Sequence, residues 1–199
     1  MKRQLEELLD TNLQKINHIS ENKHFIGFSK KLGERVFVKI FKDPLKYKLE
    51  YKVLRNKGNF LLDVPEYSAL VLKYEDFIPL KKESVNDEDI IKIAELISDF
   101  HRGNWLSIEN DKEISLEKVL EKNVYRLADR KEYTKISELH AKFLKNISKL
   151  DEEYVKTLVL IHGDFGLRNI MRKDDNLVLI DFERVKYASY YLDFIKYFY

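Results

Sequence analysis

The sequence predicts an α+β fold of two lobes, a small antiparallel sheet followed by a mainly helical half. Between about Gln14 and Leu72 apolar residues recur at every second position in short runs separated by polar turns. From Asn86 to Leu150 they recur at helical spacing instead. A third observation places the chemistry. Two β-branched and leucine-rich runs, Thr157 to Ile161 and Leu177 to Ile180, each lead directly into a loop carrying an aspartate.

A chain of 199 residues can bury roughly 70% of its unfolded surface, enough for one compact domain or two small lobes sharing a cleft. With 44% hydrophobic and 13% aromatic residues it falls among globular proteins. Basic and acidic residues, 36 against 34, nearly cancel, so no global field recruits nucleic acid or an anionic membrane. Any anion site must therefore be local. The absence of cysteine excludes disulfides and thiolate metal sites and points to a reducing compartment. Met1 to Asn12 is charged, without the apolar centre of a signal peptide, and no run reaches the roughly 18 apolar residues of a membrane span. The expectation is a cytoplasmic protein with no membrane span and no nucleic-acid partner.

Residues 2 to 10 read as a short helix with Leu5, Leu8 and Leu9 on one face. Ile16 to Ile19 and Phe25 to Phe28 read as strands joined by the polar turn Ser20-Glu21-Asn22-Lys23. A turn containing Gly33 leads to a third strand, Arg35 to Phe41. There Val36, Val38 and Ile40 share one face, and Phe37, Lys39 and Phe41 the other. A lysine between two phenylalanines suits a buried functional cation, the alternative being an edge-strand lysine that blunts aggregation. Pro44 opens a helix over about Leu45 to Asn56 and Gly58 closes it, with Leu45, Leu49 and Val53 as its buried stripe. Glu50 is the only acidic residue in that helix and so the available partner for Lys39, unless it is a surface charge. Asp63-Val64-Pro65 breaks the chain before strands at Tyr67 to Ala69 and Leu70 to Leu72, completing a five-stranded sheet. The lobe boundary is placed between residues 76 and 77, giving an N-terminal lobe over 1–76 and a C-terminal lobe over 77–199.

Asn86 caps the next helix, whose first turn holds Asp87, Glu88 and Asp89. Its buried face reads Ile90, Ile93, Ala94, Ile97 and Phe100, and it ends near His101-Arg102-Gly103. Two more amphipathic helices follow, one from Ser115 and one carrying Ile136, Leu139, Phe143, Ile147 and Leu150. Then come the strand Thr157 to Ile161, a hairpin turning at Lys173 to Asn176, and a short helix from Tyr190 to Phe198. The tyrosines at 187, 190, 191, 197 and 199 read as core and lobe packing, or as an acceptor or dimer surface.

Phosphoryl transfer needs a base at the attacking hydroxyl, cations bridging the phosphates and fixed positive charge upon them. Asp164 can accept the hydroxyl proton. Asn169 and Asp181, five and twelve residues further on in turn, offer the oxygen ligands that Mg²⁺ prefers. Lys39, held by Glu50, would supply the positive charge. Hydrolysis by water could use the same parts, so the acceptor stays open at this level. The five histidines have no metal-ligand spacing, and His162 reads as a loop brace.

The order of Lys39 on a strand, Glu50 on a helix, His162-Gly163-Asp164, Asn169 and Asp181-Phe182-Glu183 resembles the protein-kinase-like fold in its aminoglycoside phosphotransferase and choline kinase branch. The likeness runs from about residue 14 to 196. It implies ATP and Mg²⁺ as cofactors, Asp164 as base, and Asn169 and Asp181 as metal ligands. It further implies a hinge at Lys73 to Phe77, Lys73 and Glu75 among it, that meets adenine, with Phe37 against the ring or simply packed between lobes. Asp193 is similar to a family aspartate that braces the catalytic loop, and His101 to a histidine packed beneath it. The chain departs from the pattern in two places. The nucleotide loop, placed at Ser20 to Lys23, has no glycine, and only 18 residues follow Asp181. The acceptor site is therefore expected from residues 104 to 155, with or without the terminal aromatic helix, or is open to a large acceptor. The implied reaction moves phosphate to a hydroxyl of a small molecule or glycan sugar. A short atypical protein kinase and a nucleotide-binding pseudokinase or scaffold are the alternatives.

Overall fold

The computed structural model describes residues 1–16, 21–103 and 156–198, with Glu138 and Ala141 as isolated helical positions. Elements are numbered in chain order within these residues. Strands β1 (Gln14–Ile16), β2 (Lys23–Ser29), β3 (Glu34–Ile40), β4 (Phe60–Val64) and β5 (Ala69–Lys73) form one antiparallel sheet in the order β1-β2-β3-β5-β4. Helix α1 (Lys2–Leu9) precedes it, and α2 (Pro44–Leu54) links β3 to β4. The rest comprises β6 (Ile78–Pro79), α3 (Asp87–Arg102), β7 (Leu158–Ile161), β8 (Ile170–Lys173), β9 (Asn176–Leu179), β10 (Lys186–Ser189) and α4 (Tyr191–Phe198). The described elements form the α+β arrangement that the sequence predicts, with an antiparallel sheet in the N-terminal part.

Alternation along the central strands divides their side chains between two cores. Val36 and Val38 of β3 and Val71 of β5 pack with Leu5 and Leu9 of α1, all with no exposed surface. Burying each leucine contributes about 1.5–3 kcal/mol, which docks a helix of only eight residues. On the other face Leu70 and Phe41 join Tyr47 and Val53 of α2, and this core runs on through Ile93, Ile97 and Phe100 of α3 to Leu160, Ile170 and Phe182. The two halves are thus joined by apolar packing beneath the lysine-bearing face of β3.

Several sequence expectations need correction. Leu8 is 38% exposed, because Leu5 and Leu9 alone face the sheet. In α2 Leu45 is 68% exposed and Leu49 only partly buried, while Tyr47, Glu50, Val53 and Leu54 turn inward. Two polar anchors set the facing of the helix and leave Leu45 outside: Glu50 reaches Lys39, and the Tyr47 hydroxyl donates to Asp63 at 3.0 Å. The fourth strand in sequence is Phe60–Val64, and Pro65–Tyr67 is a 3-10 turn before one continuous β5. In α3 Ile90 and Ala94 are exposed and Asp89 is buried. The cause is an ion pair from Asp89 to Arg172 of β8 at 2.7 Å, while Asn86 and Asp89 cap the helix reciprocally. Strands β6 and β10 were not foreseen. They pair with β8 and β7, respectively.

The helix expected at Ser115, Ser20 and the end of the first expected strand lie outside the described residues, as do, apart from Glu138 and Ala141, the helix expected at Ile136 to Leu150 and the acceptor region 104 to 155. No helix among the described residues is long and apolar enough to cross a membrane.

Candidate active site

Strand β3 delivers Lys39 to the face opposite Val36 and Val38, where it is 5% exposed. A buried ammonium must be paired, and three carboxylates surround this one. Its Nζ lies 2.7 Å from Glu50 Oε2, 2.6 Å from Asp181 Oδ1 and 3.8 Å from Glu183 Oε2. Burial acts to lower the Lys39 ammonium, but Glu50 and Asp181 more than offset it, so it titrates above its ordinary value. Burial pushes the Glu50 carboxyl the other way, up to about 7, with Lys39 opposing. Two short contacts from carboxylates favour the charged form of the lysine. Lys46 of α2 donates to Glu183 Oε1 at 3.1 Å, and Asn22 Nδ2 to Glu183 Oε2 at 2.6 Å.

The second half of the site rests on β7 and its loop. Asp193, at the start of α4, has no exposed surface and accepts the backbone N–H of His162 at 2.8 Å and of Gly163 at 2.9 Å. His101 Nε2 lies 3.0 Å from the same carboxylate. Gly163 adopts φ +76°, and a Cβ there would overlap the carbonyl oxygen of Arg184, so glycine is required at this step of the loop. Burial pushes the His162 imidazole below its ordinary value, and with Nε2 2.9 Å from the Ile180 carbonyl it is a neutral ring donating that proton. Phe182 stacks on Phe100 at 5.7 Å and tilts against His162 at 5.3 Å, which wedges the Asp181 segment against the loop.

Asp164 is held by two neighbours. Arg168 Nη2 contacts both its carboxylate oxygens, at 2.8 and 2.9 Å. Asn169 Nδ2 donates to the Asp164 carbonyl at 2.8 Å and to Oδ2 at 3.3 Å. Register in the β8–β9 hairpin pairs Ile170 with Leu179, and the Ile180 N–H reaches the Asn169 carbonyl at 3.1 Å. That pairing puts the Asn169 and Asp181 segments side by side. Asp181 itself has φ +64°, a left-handed conformation that is uncommon away from glycine and tends to gather at functional sites.

Of the residues singled out from sequence, Lys39, Glu50 and Asp181 meet directly, and Asn169 contacts Asp164. Phe37 faces the same side of β3 and packs against His24 at 5.4 Å. Lys73 pairs with Glu34 at 2.8 Å, and its N–H is engaged by the Asn59 carbonyl. Glu75 pairs with Lys173 of the hairpin. In the sequence Asn22 belongs to a polar turn and Lys46 to a helix face with no distinguishing pattern. Only the fold aims both at Glu183. Glu50, Asp181 and Glu183 offer carboxylate oxygens within 4.8 Å of one another.

The chain matches the phosphotransferase enzyme family over residues 61–199. No curated protein sequence matches it significantly. Among solved structures it is similar to the choline kinase LicA of Streptococcus pneumoniae, with TM-score 0.62 and 17% identity over 98% of this chain and 73% of that one. It is also similar to an ethanolamine kinase of Plasmodium vivax, with TM-score 0.59 and 15% identity over 95% of this chain and 60% of that one. A third likeness is to the aminoglycoside phosphotransferase APH(3'')-Id of Streptomyces rimosus, solved with ADP and streptomycin, with TM-score 0.54 and 15% identity over 94% and 76%. At such identities the likeness concerns the fold. The chain spans between three-fifths and three-quarters of the length of these proteins.

Proposed function

We propose that this chain, which belongs to the phosphotransferase enzyme family, is an ATP- and Mg²⁺-dependent kinase transferring the γ-phosphate to a hydroxyl of a small molecule or glycan sugar. One observation carries the reading. Lys39 Nζ stands between Glu50 and Asp181, 2.7 and 2.6 Å away, and so ties the N-terminal sheet to the loop after β9. Phosphoryl transfer needs a phosphate-binding cation and a metal-binding carboxylate in one cleft, and this contact brings two groups suited to those roles together. The ADP bound to the Streptomyces rimosus enzyme of the same fold supports an adenine nucleotide here.

The donor set suits Mg²⁺. Asn169 and Asp181 present oxygen only, and Glu50, Asp181 and Glu183 outnumber Lys39 and Lys46 by one charge. Asn169 and Asp181 would hold the ion, which when bound would draw charge from the phosphate oxygens. Lys39, kept in place by Glu50, would address the α- and β-phosphates. The backbone between Lys73 and Phe77, Glu75 included, would meet the adenine edge and Phe37 its face. The phosphate-facing lysine would then fall to lobe 1–76 and the base and metal ligands to lobe 77–199, with the Lys73 to Phe77 segment spanning the boundary.

Asp164 accepts the proton of the acceptor hydroxyl. As that oxygen bonds to the γ-phosphorus, the bond from phosphorus to the β,γ-bridging oxygen breaks, and its electron pair leaves with ADP. Asp164→Asn is expected to lower turnover by roughly two to four orders of magnitude while ATP binding persists, scored by ADP release against a panel of amino alcohols, sugars and aminoglycosides. Undiminished turnover in that variant would remove Asp164 from the role.

A further inference from the structure

Asn22 and Glu183 are separated by 161 positions, yet their side chains meet at 2.6 Å. Asn22 is 9% exposed, and the Glu183 side chain 12%. Asn22 uses both ends of its amide. Nδ2 donates to Glu183 Oε2, and Oδ1 accepts the Lys42 N–H at 3.2 Å. The other oxygen of Glu183 takes the Lys46 ammonium at 3.1 Å. Lys42 and Lys46 bracket the start of α2, so the contacts close a ring through three segments: the turn before β2, the entry to α2 and the chain after β9.

We propose that Asn22 and Glu183 form a clasp that positions the Glu21–Lys23 turn for the nucleotide, with Glu183 acting as a positioning residue; this rests on the phosphotransferase reading above. Glycine lets a loop's backbone approach phosphates by removing side chains. This turn holds no glycine, and an amide bonded to a buried carboxylate sets its distance instead. Hydrogen bonds to a charged acceptor are about twice as strong as neutral ones, which suits a tether between the halves of a cleft. The clasp also orients Glu183. With its two oxygens committed to Asn22 and Lys46, it stays 3.8 Å from Lys39, and the closer contacts of Lys39 are to Glu50 and Asp181.

The test is calorimetric titration of ATP with Mg²⁺ into the full chain for wild type, Asn22→Asp, Glu183→Gln and the double variant, with melting temperatures recorded alongside. Asn22→Asp sets two carboxylates against each other and is expected to weaken ATP binding about tenfold or more. The double variant restores a donor–acceptor pair in the opposite sense and is expected to return affinity to within about threefold of wild type. Should Asn22→Asp not fold, Asn22→Ser removes the tether without the repulsion and takes its place, with weakened ATP binding expected. Wild type that binds no ATP overturns the phosphotransferase reading, and the clasp with it. ATP binding by wild type with unchanged affinity in the Asn22 variants, or a double variant no better than Asn22→Asp, overturns the clasp alone. So does a tenfold rise in the Mg²⁺ requirement of Glu183→Gln, which would make Glu183 a cation ligand.

Discussion

Asp193 accepts the Gly163 N–H at 2.9 Å from a position with no exposed surface, thirty residues further along the chain. Its other oxygen takes the His162 N–H at 2.8 Å, so one carboxylate satisfies two successive buried donors immediately before Asp164. Replacing it with alanine leaves both donors unmatched, at about 1–3 kcal/mol each. Asp193→Ala is expected to lose roughly 2–5 kcal/mol in urea unfolding and to lose activity even where the folded fraction is corrected for.

Two neighbours of Asp164 are predicted to behave differently. Arg168 is 73% exposed at its side chain and pairs with Asp164 four residues away, so Arg168→Ala is expected to change stability by under about 1 kcal/mol. Asn169 is 6% exposed and bonds the Asp164 carbonyl, so Asn169→Ala is expected to cost about 1–3 kcal/mol. Thermal melts of the two variants side by side check the ordering.

Gly163→Ala meets two penalties together. The left-handed φ of +76° costs an alanine about 1–2 kcal/mol, and overlap of its Cβ with the Arg184 carbonyl adds about 1–3 kcal/mol of displaced backbone. A drop in urea midpoint at an unchanged slope is the expected result, with loss of turnover as the loop shifts.

Arg172 beside Asp89 holds that carboxyl below its ordinary value of 3.8, with burial opposing and the Asn86 N–H assisting. The folded state therefore releases this proton more readily than the unfolded chain. The stabilisation is present above about pH 3.8 and is lost as pH falls through the folded value. Asp89→Asn is expected to be less stable than wild type at about pH 7, and the gap is expected to close in strong acid. Chemical unfolding across that range measures it.

The alternation that builds the sheet, the capped helix after Asn86, and the order in which a lysine, a glutamate and the aspartate loops occur are all legible in the amino-acid sequence. These are local matters: period, capping and turn chemistry act within a few residues. The same sequence makes Glu50 the only acidic residue of its helix available to Lys39. The facing of α2 is another matter, because two polar anchors on other strands set it and leave Leu45 outside. Phe60–Val64 shows no alternation of burial, and its strand character comes from pairing with β5. Tertiary structure alone decided that Asn22, Lys46 and Glu183 converge, and that Asp89 turns inward to Arg172. Such contacts join residues 83 to 161 positions apart. No periodicity reports them, because they exist only once two separately encoded surfaces have packed and left each buried charge to find its partner.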